Sequence, residues 1–251
     1  MRQLKGQGGK RMPVYTPQFA PLVVLAFLGT GFGVVLCLLL ALAGILRKSR
    51  QLVLGGLAVA AGLAITYSVV LLGLSVFSSD TELPLGGWKY FCEIDCHIAY
   101  TVEGVQEARS VGPEMQPVST RGKFVIVRLK SWFDPSTISA HRGDAPLVPN
   151  ERVILLQDGA GKTYKESPKA EALLAAADIH STRLRTALRP GESYLSYLVF
   201  EIPYESTQLR LLLTSAESPD AAIWGDENSP FHKKAYFRLP GSNPAPTPHL
   251  P

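Results

Sequence analysis

The sequence predicts a two-helix transmembrane hairpin followed by an all-β, antiparallel sandwich. Three observations carry this reading. Two long runs near the N-terminus hold no charge, and all 21 acidic residues fall from Asp80 onward. Beyond Gly87 the apolar residues change to a period of two, the period of a strand.

The hairpin comes first. Phe19–Leu46 and Leu52–Phe77 are uncharged throughout, and each exceeds the roughly 20 apolar residues that a bilayer core requires. A pair of buried core helices would still need a polar stripe toward solvent, and neither run has one. Arg47, Lys48, Ser49, Arg50 and Gln51 separate them, a connection short enough for a tight helical hairpin. Ala41-Leu42-Ala43 before Gly44 resembles a signal-peptidase site, but the apolar stretch is longer than such signals use. A lipoprotein signal needs a small residue before its cysteine, and Leu36 precedes Cys37. Gly29 and Gly33 give one Gly-x-x-x-Gly spacing, with Gly31 between them, which suits close packing within the hairpin. Neither helix carries an ionisable residue, which argues against a proton or ion path.

Charge sets the orientation. Seven of the 25 Lys and Arg lie in the first 79 residues: Arg2, Lys5, Lys10 and Arg11 before the first run, then Arg47, Lys48 and Arg50 after it. The second run is preceded by basic residues and followed by Asp80 and Glu82. This places the loop in the cytoplasm and both ends outside it. The remainder has 18 basic residues against 21 acids, so the basic pI belongs to the membrane segment. A nucleic-acid partner, which needs a basic folded face, is not expected.

Tyr90 to Val102 alternates strictly and predicts one half-buried strand, and Lys123–Phe133 repeats the pattern. Further strands are expected at Arg152–Gln157, Tyr194–Ile202, Gln208–Thr214 and Ala235–Leu239. Asp158-Gly159 signals a hairpin and Arg189-Pro190-Gly191-Glu192 a tight turn, while Pro203 stops a strand. Lys169–Asp178 is the one helix-favouring stretch. Short strands at this spacing indicate a sandwich. The expected domains are a basic tail over 1–18, helices over 19–46 and 52–77 joined by 47–51, a linker over 78–87, the sandwich over 88–239, and a Pro-rich disordered tail over 240–251.

Three runs carry a resemblance: Leu188–Glu192, Tyr197–Pro203 and Leu209–Thr214 are similar to the closing strands of an uncharacterised bacterial membrane-anchored immunoglobulin-like family. Gly122–Phe133, followed by Asp134, and Tyr90–Tyr100 resemble segments of related proteins of unknown function. The resemblance spans most of 88–239. It implies an immunoglobulin-like sandwich outside the cytoplasm and assigns no catalytic residue or cofactor.

The best chemical candidate is Cys92, Cys96 and His97. Covalent haem would need a two-residue spacer between the cysteines, and three residues separate these. Copper suits paired thiolates with imidazole nearby. The copper subunit of cytochrome oxidase is similar in plan, with a two-helix hairpin and an outer β-domain. Its pair, however, lies late in the domain and is followed by His and Met ligands, and Ile98–Val102 offers none. The remaining imidazoles, His141, His180, His232 and His249, are scattered, and Met115 is isolated. A disulfide needs Cα atoms within about 7 Å, whereas four residues of extended strand span about 13 Å. The reading with fewest assumptions is two buried thiols beside Ile94 and Ile98.

Gly159-Ala160-Gly161-Lys162-Thr163 resembles the end of a phosphate loop, but Leu156 stands where that motif needs glycine, so a hairpin turn explains it. Asp226, Glu227 and His232 could hold a divalent ion, but a solvated loop accounts for them better, because no paired motif or supporting shell marks a site. No Gly-x-Ser-x-Gly or His-Glu-x-x-His pattern occurs. These readings favour a non-enzymatic interaction or scaffolding module with no cofactor. Its partners would be the lipid bilayer and another envelope protein or a second copy of itself. The rival is a thiol-redox or copper protein built on Cys92, Cys96 and His97.

Overall fold

The computed structural model describes residues 4–5, 11–16, 20–91, 97–113, 117–139, 141–177, 179, 181–216 and 218–240. The chain forms two compact units. One comprises Met1–Thr16, Asp80–Ala216 and Ala235–Pro251; the other comprises Pro17–Ser79 and Glu217–Lys234.

The second unit contains helices α1 (Ala20–Leu46) and α2 (Arg50–Val76). Both are long and apolar enough to cross a membrane. Apolar side chains face outward along them, with Leu22 68%, Phe32 72% and Leu46 78% exposed. The turn between them is a left-handed cap: Lys48 has φ 53, and the Ser49 and Lys48 N–H groups donate to the Gly44 and Ile45 carbonyls. Close approach occurs at Gly56, where a Cβ would stand 2.7 Å from the Cys37 carbonyl oxygen, and at Gly44. Of the glycines singled out by spacing, only Gly33 meets the other helix, through Leu63, while Gly29 and Gly31 face open space. The tight contact sits nearer the turn, where two helices joined by three residues are forced together.

The first unit is a β-sandwich. Its strands are β1 (Leu4–Lys5), β2 (Arg11–Met12), β3 (Val14–Tyr15), β4 (Thr81–Leu83), β5 (Trp88–Phe91), β6 (Ile98–Val111), β7 (Val118–Phe133), β8 (Arg152–Gln157), β9 (Thr163–Tyr164), β10 (Ser193–Ile202), β11 (Arg210–Ser215) and β12 (Ala235–Arg238). Helix α3 (Pro168–Ala176) lies between β9 and β10. One sheet runs β10-β7-β6-β5-β3 and the other β4-β12-β11-β8-β9, with β1 and β2 forming a separate pair. The inner faces meet in one core that includes Tyr100, Val127, Phe133, Phe200, Leu211 and Phe237, all fully buried.

Three expectations are corrected. The alternation from Tyr90 to Val102 is two strands, not one: β5 and β6 pair antiparallel with Phe91 opposite Ile98. Alternation reports which side chains are apolar and cannot show that the chain has doubled back. Nor is β6 half-buried at its start, since Ile98–Val102 is buried on both faces. Ile98, Tyr100 and Val102 enter the main core, while Ala99 packs with Val14 and Tyr90 under Trp88 and Trp132. The sandwich is also not purely antiparallel: β3 pairs parallel with β5, and β4 with β12. Parallel neighbours need a long crossover, and between β3 and β5 the helical hairpin supplies it.

Lys89 is a buried cation, 1% exposed, that ties the sheets together. From β5 its Nζ donates to the Leu213 and Ala235 carbonyls at 2.6 and 2.9 Å, with the Phe91 and Tyr15 rings nearby. A charge is tolerated at such depth only with acceptors of this kind.

Candidate functional site

The long outer strand of the first sheet, β10, is not open to pairing. The Ser167 N–H donates to the Val199 carbonyl, the Thr182 N–H to the Leu195 carbonyl, and the Tyr197 N–H to the Ser181 hydroxyl. The strap 181–186 is fixed further by the Ser196 and Tyr194 hydroxyls, which donate to the Thr182 and Leu184 carbonyls at 2.5 Å. The remaining outer strands β3, β4 and β9 have two or three residues each. Short or covered edges resist strand addition.

Covering β10 leaves a cleft. It has a volume of about 880 Å³ and is walled by β8, α3, β10 and the strap. Helix α3 starts there for local reasons: the Ser167 hydroxyl accepts from the Ala170 N–H, and Pro168 occupies the first turn. This start brings Glu171 against Glu166, which bridges to Phe200 just before the helix. Burial, reinforced by the neighbouring Glu171 carboxylate, pushes the Glu166 carboxyl up to about 8. A carboxyl buried beside a second carboxylate is disfavoured in its charged form. Opposite charge comes from Arg152, Arg183 and Arg185, which also line the cleft. The Arg152 guanidinium lies over the Phe91 ring, 4.1 Å from its centre, a cation–π contact. Carboxyls, guanidiniums and hydroxyls in one open cleft suit recognition of a ligand bearing both charges. The sequence gives little warning of this set, beyond acids flanking the Ser167-Pro168 helix start.

Of the residues singled out from sequence, Cys92 and Cys96 lie outside the described residues, as do His180, His249 and Met115. His97 is described and is 4% exposed. Its ring stacks on Phe133 with centroids 5.5 Å apart, its Nδ1 is 2.7 Å from the Thr137 hydroxyl, and its carbonyl accepts from the Asp134 N–H. This is a residue built into a turn. Asp134 completes the turn by accepting from the Ser136 N–H and the Tyr90 hydroxyl.

Gly159–Lys162 lies in the turn between β8 and β9, and Thr163 opens β9. Asp158 accepts from the Ala160 and Lys162 N–H groups and from Tyr164, and these hydrogen bonds hold its carboxyl below the usual range; Gly161 takes φ 83. Asp226, Glu227 and His232 fall in one loop but are engaged separately. Asp226 accepts from the Asn228 N–H, the Glu227 carbonyl accepts from Lys234, and His232 Nδ1 donates to the Lys233 carbonyl. Burial raises the Asp226 carboxyl to about 6. Among the described residues, no three His, Cys, Asp or Glu side chains gather as a metal site would require.

No protein-family model and no curated protein matches the chain. Solved structures do. A conserved hypothetical protein from Bacillus anthracis has a TM-score of 0.37 at 19% identity, covering 49% of this chain and 89% of that one. The yjhA protein from Bacillus subtilis has a TM-score of 0.36 at 13% identity, covering 62% and 98%. An uncharacterised β-sandwich protein from Clostridium difficile 630 has a TM-score of 0.38 at 11% identity, covering 65% and 96%. At such scores the likeness says nothing about activity or ligand. The chain is similar to uncharacterised bacterial β-sandwich proteins.

Proposed function

We propose that this protein is a membrane-anchored interaction module. The hairpin spans the cytoplasmic membrane with its basic turn inside, and an immunoglobulin-like sandwich stands outside the cytoplasm. One observation supports the topology above all. Val14–Tyr15, before α1, pairs directly with Trp88–Lys89, after α2. Strands that share a sheet lie on the same side of a bilayer, so the chain between them crosses an even number of times.

The binding surface is the cleft beside α3. With the β10 edge closed by the strap, a partner is met by charged side chains and not by strand addition. The partner is a protein segment carrying both acidic and basic groups, matched to Arg152, Arg183 and Arg185 on one hand and the Glu166–Glu171 pair on the other.

A photo-reactive residue at Ala175, which lines the cleft, tests this in living cells, with Asp144 as an exposed control outside it. The expected result is a discrete adduct from Ala175 that disappears in an Arg152→Ala background. No adduct, or equal capture from both positions, refutes the cleft as the binding surface. Alkaline phosphatase fused after Pro251 is expected to be active; an inactive fusion beside an active cytoplasmic reporter reverses the orientation.

A further inference from the structure

The segment 218–234 leaves the sandwich between β11 and β12 and belongs to the hairpin unit. Its aromatic contacts fall at one level of the helices. The Trp224 ring stacks on Tyr67 with centroids 4.7 Å apart, and its Nε1–H donates to the Tyr67 carbonyl at 3.2 Å. The Tyr67 hydroxyl donates to the Ala222 carbonyl at 2.7 Å, and Phe27 of α1 lies 6.3 Å from the Tyr67 ring. Further along, the Lys233 N–H donates to the Ser78 hydroxyl just past the end of α2.

Distance gives this level its meaning. At 1.5 Å per residue, Tyr67 stands about 25 Å along α2 from Arg50, and Phe27 about 29 Å along α1 from Leu46. A hydrocarbon core is about 30 Å thick. The basic turn and the aromatic level are thus separated by about one hydrocarbon thickness, and Trp and Tyr are the side chains that gather where acyl chains meet headgroups. The segment, which belongs to the same unit as the helices, also carries Asp220, Asp226 and Glu227, and carboxylates do not settle in hydrocarbon.

We propose that the start of this segment, Asp220–Trp224, lies in the phospholipid headgroup layer of the bilayer that the hairpin spans, with Trp224 and Tyr67 at its boundary with the acyl chains. The rest, as far as Lys233 beside Ser78, follows α2 outward beyond that layer. The immersed spans are then Phe27–Leu46 and Leu52–Tyr67, and the last turns of α2 emerge with the segment packed beside them. This rests on the membrane-spanning reading above and adds to it the depth at which the hairpin sits and a lipid-facing surface.

The full chain, reconstituted in phosphatidylcholine–phosphatidylglycerol vesicles, provides the test. In a Trp88→Phe, Trp132→Phe background Trp224 is the only indole. Spin labels near the top of the acyl chain are expected to quench it several-fold more strongly than labels near the bilayer centre. Protein that floats with the vesicles but is unquenched, or is quenched best from the centre, overturns this inference and leaves the hairpin reading standing. Protein that fails to float overturns both. Trp88 and Trp132 pack against each other, so a second measurement leaves them in place: benzoyl-phenylalanine at the half-exposed Ile223 is expected to cross-link phospholipid on illumination. Capture of protein alone, or of nothing, counts against the placement.

Discussion

Gly122 offers the sharpest single-residue test of the sandwich. It lies in β7 next to Lys123, the register partner of Ile202 in β10. A Cβ built there would stand 2.0 Å from the Ile202 carbonyl oxygen and 2.9 Å from its carbonyl carbon. Both are backbone atoms, so no rotamer relieves the clash. Real Cβ contacts stay beyond 3.0 Å, and β10 must therefore retreat by at least 1 Å at its end. Ile202 is itself 2% exposed and part of the main core, so the shift propagates into packed side chains. Overpacking costs about 1–3 kcal/mol, and forced backbone movement puts Gly122→Ala near the upper end, ~3 kcal/mol. For a domain of roughly 150 residues this lowers Tm by about 6–12 °C. Gly104→Ala in the neighbouring strand is the control, because its Cβ would meet only Arg128 side-chain atoms at 3.6 Å and beyond; it should be within about 1 kcal/mol of neutral. Thermal melting of the full chain in detergent measures both. A Gly122→Ala protein melting within about 2 °C of the parent, or above Gly104→Ala, refutes the β7–β10 geometry.

Glu166 should make stability depend on pH. Its folded-state carboxyl is raised from 4.5 to about 8, chiefly by burial. A raised acid stabilises fully below its unfolded value and loses that contribution as pH rises through the folded one. Melting temperature should therefore fall between about pH 5 and about pH 9, and Glu166→Gln should flatten the slope; an unchanged slope contradicts the buried pair. Tyr67→Phe removes the hydroxyl bond to Ala222, a loss of about 1 kcal/mol, so amides over 218–234 should exchange about fivefold faster. Gly56→Val should force α1 from α2 at Cys37 and Ala41, seen as a lower melting temperature of the helical signal in detergent; no change would place the helix contact elsewhere.

The parts of the fold that were legible are those where burial is one-sided and local. Strand β8 runs Arg152–Gln157 as the alternation predicts, β10 and β12 differ from expectation by one residue, and α3 starts at Pro168 behind a serine cap. Strands β3 and β4, with two and three residues, are too short to show a period. They exist because β5 and β12 offer them an open edge. The same limit hid the division between β5 and β6, because alternation runs on through two strands that pair with each other. The cleft was invisible for a different reason. Arg152, Glu166 and Arg183 are brought together only after α3 and the strap fold back on β10, and nothing in their spacing announces it. His97 stood out because it follows a cysteine pair, yet its surroundings are a ring, a hydroxyl and a backbone turn.

Extraction of native membranes with alkaline carbonate, followed by sedimentation, bears most directly on the anchoring that everything else presupposes. A chain held by two apolar helices stays in the pellet and leaves it only with detergent. Release of the intact polypeptide into the carbonate supernatant would mean that the exposed faces of α1 and α2 are covered by protein rather than lipid, and the membrane assignment would be wrong.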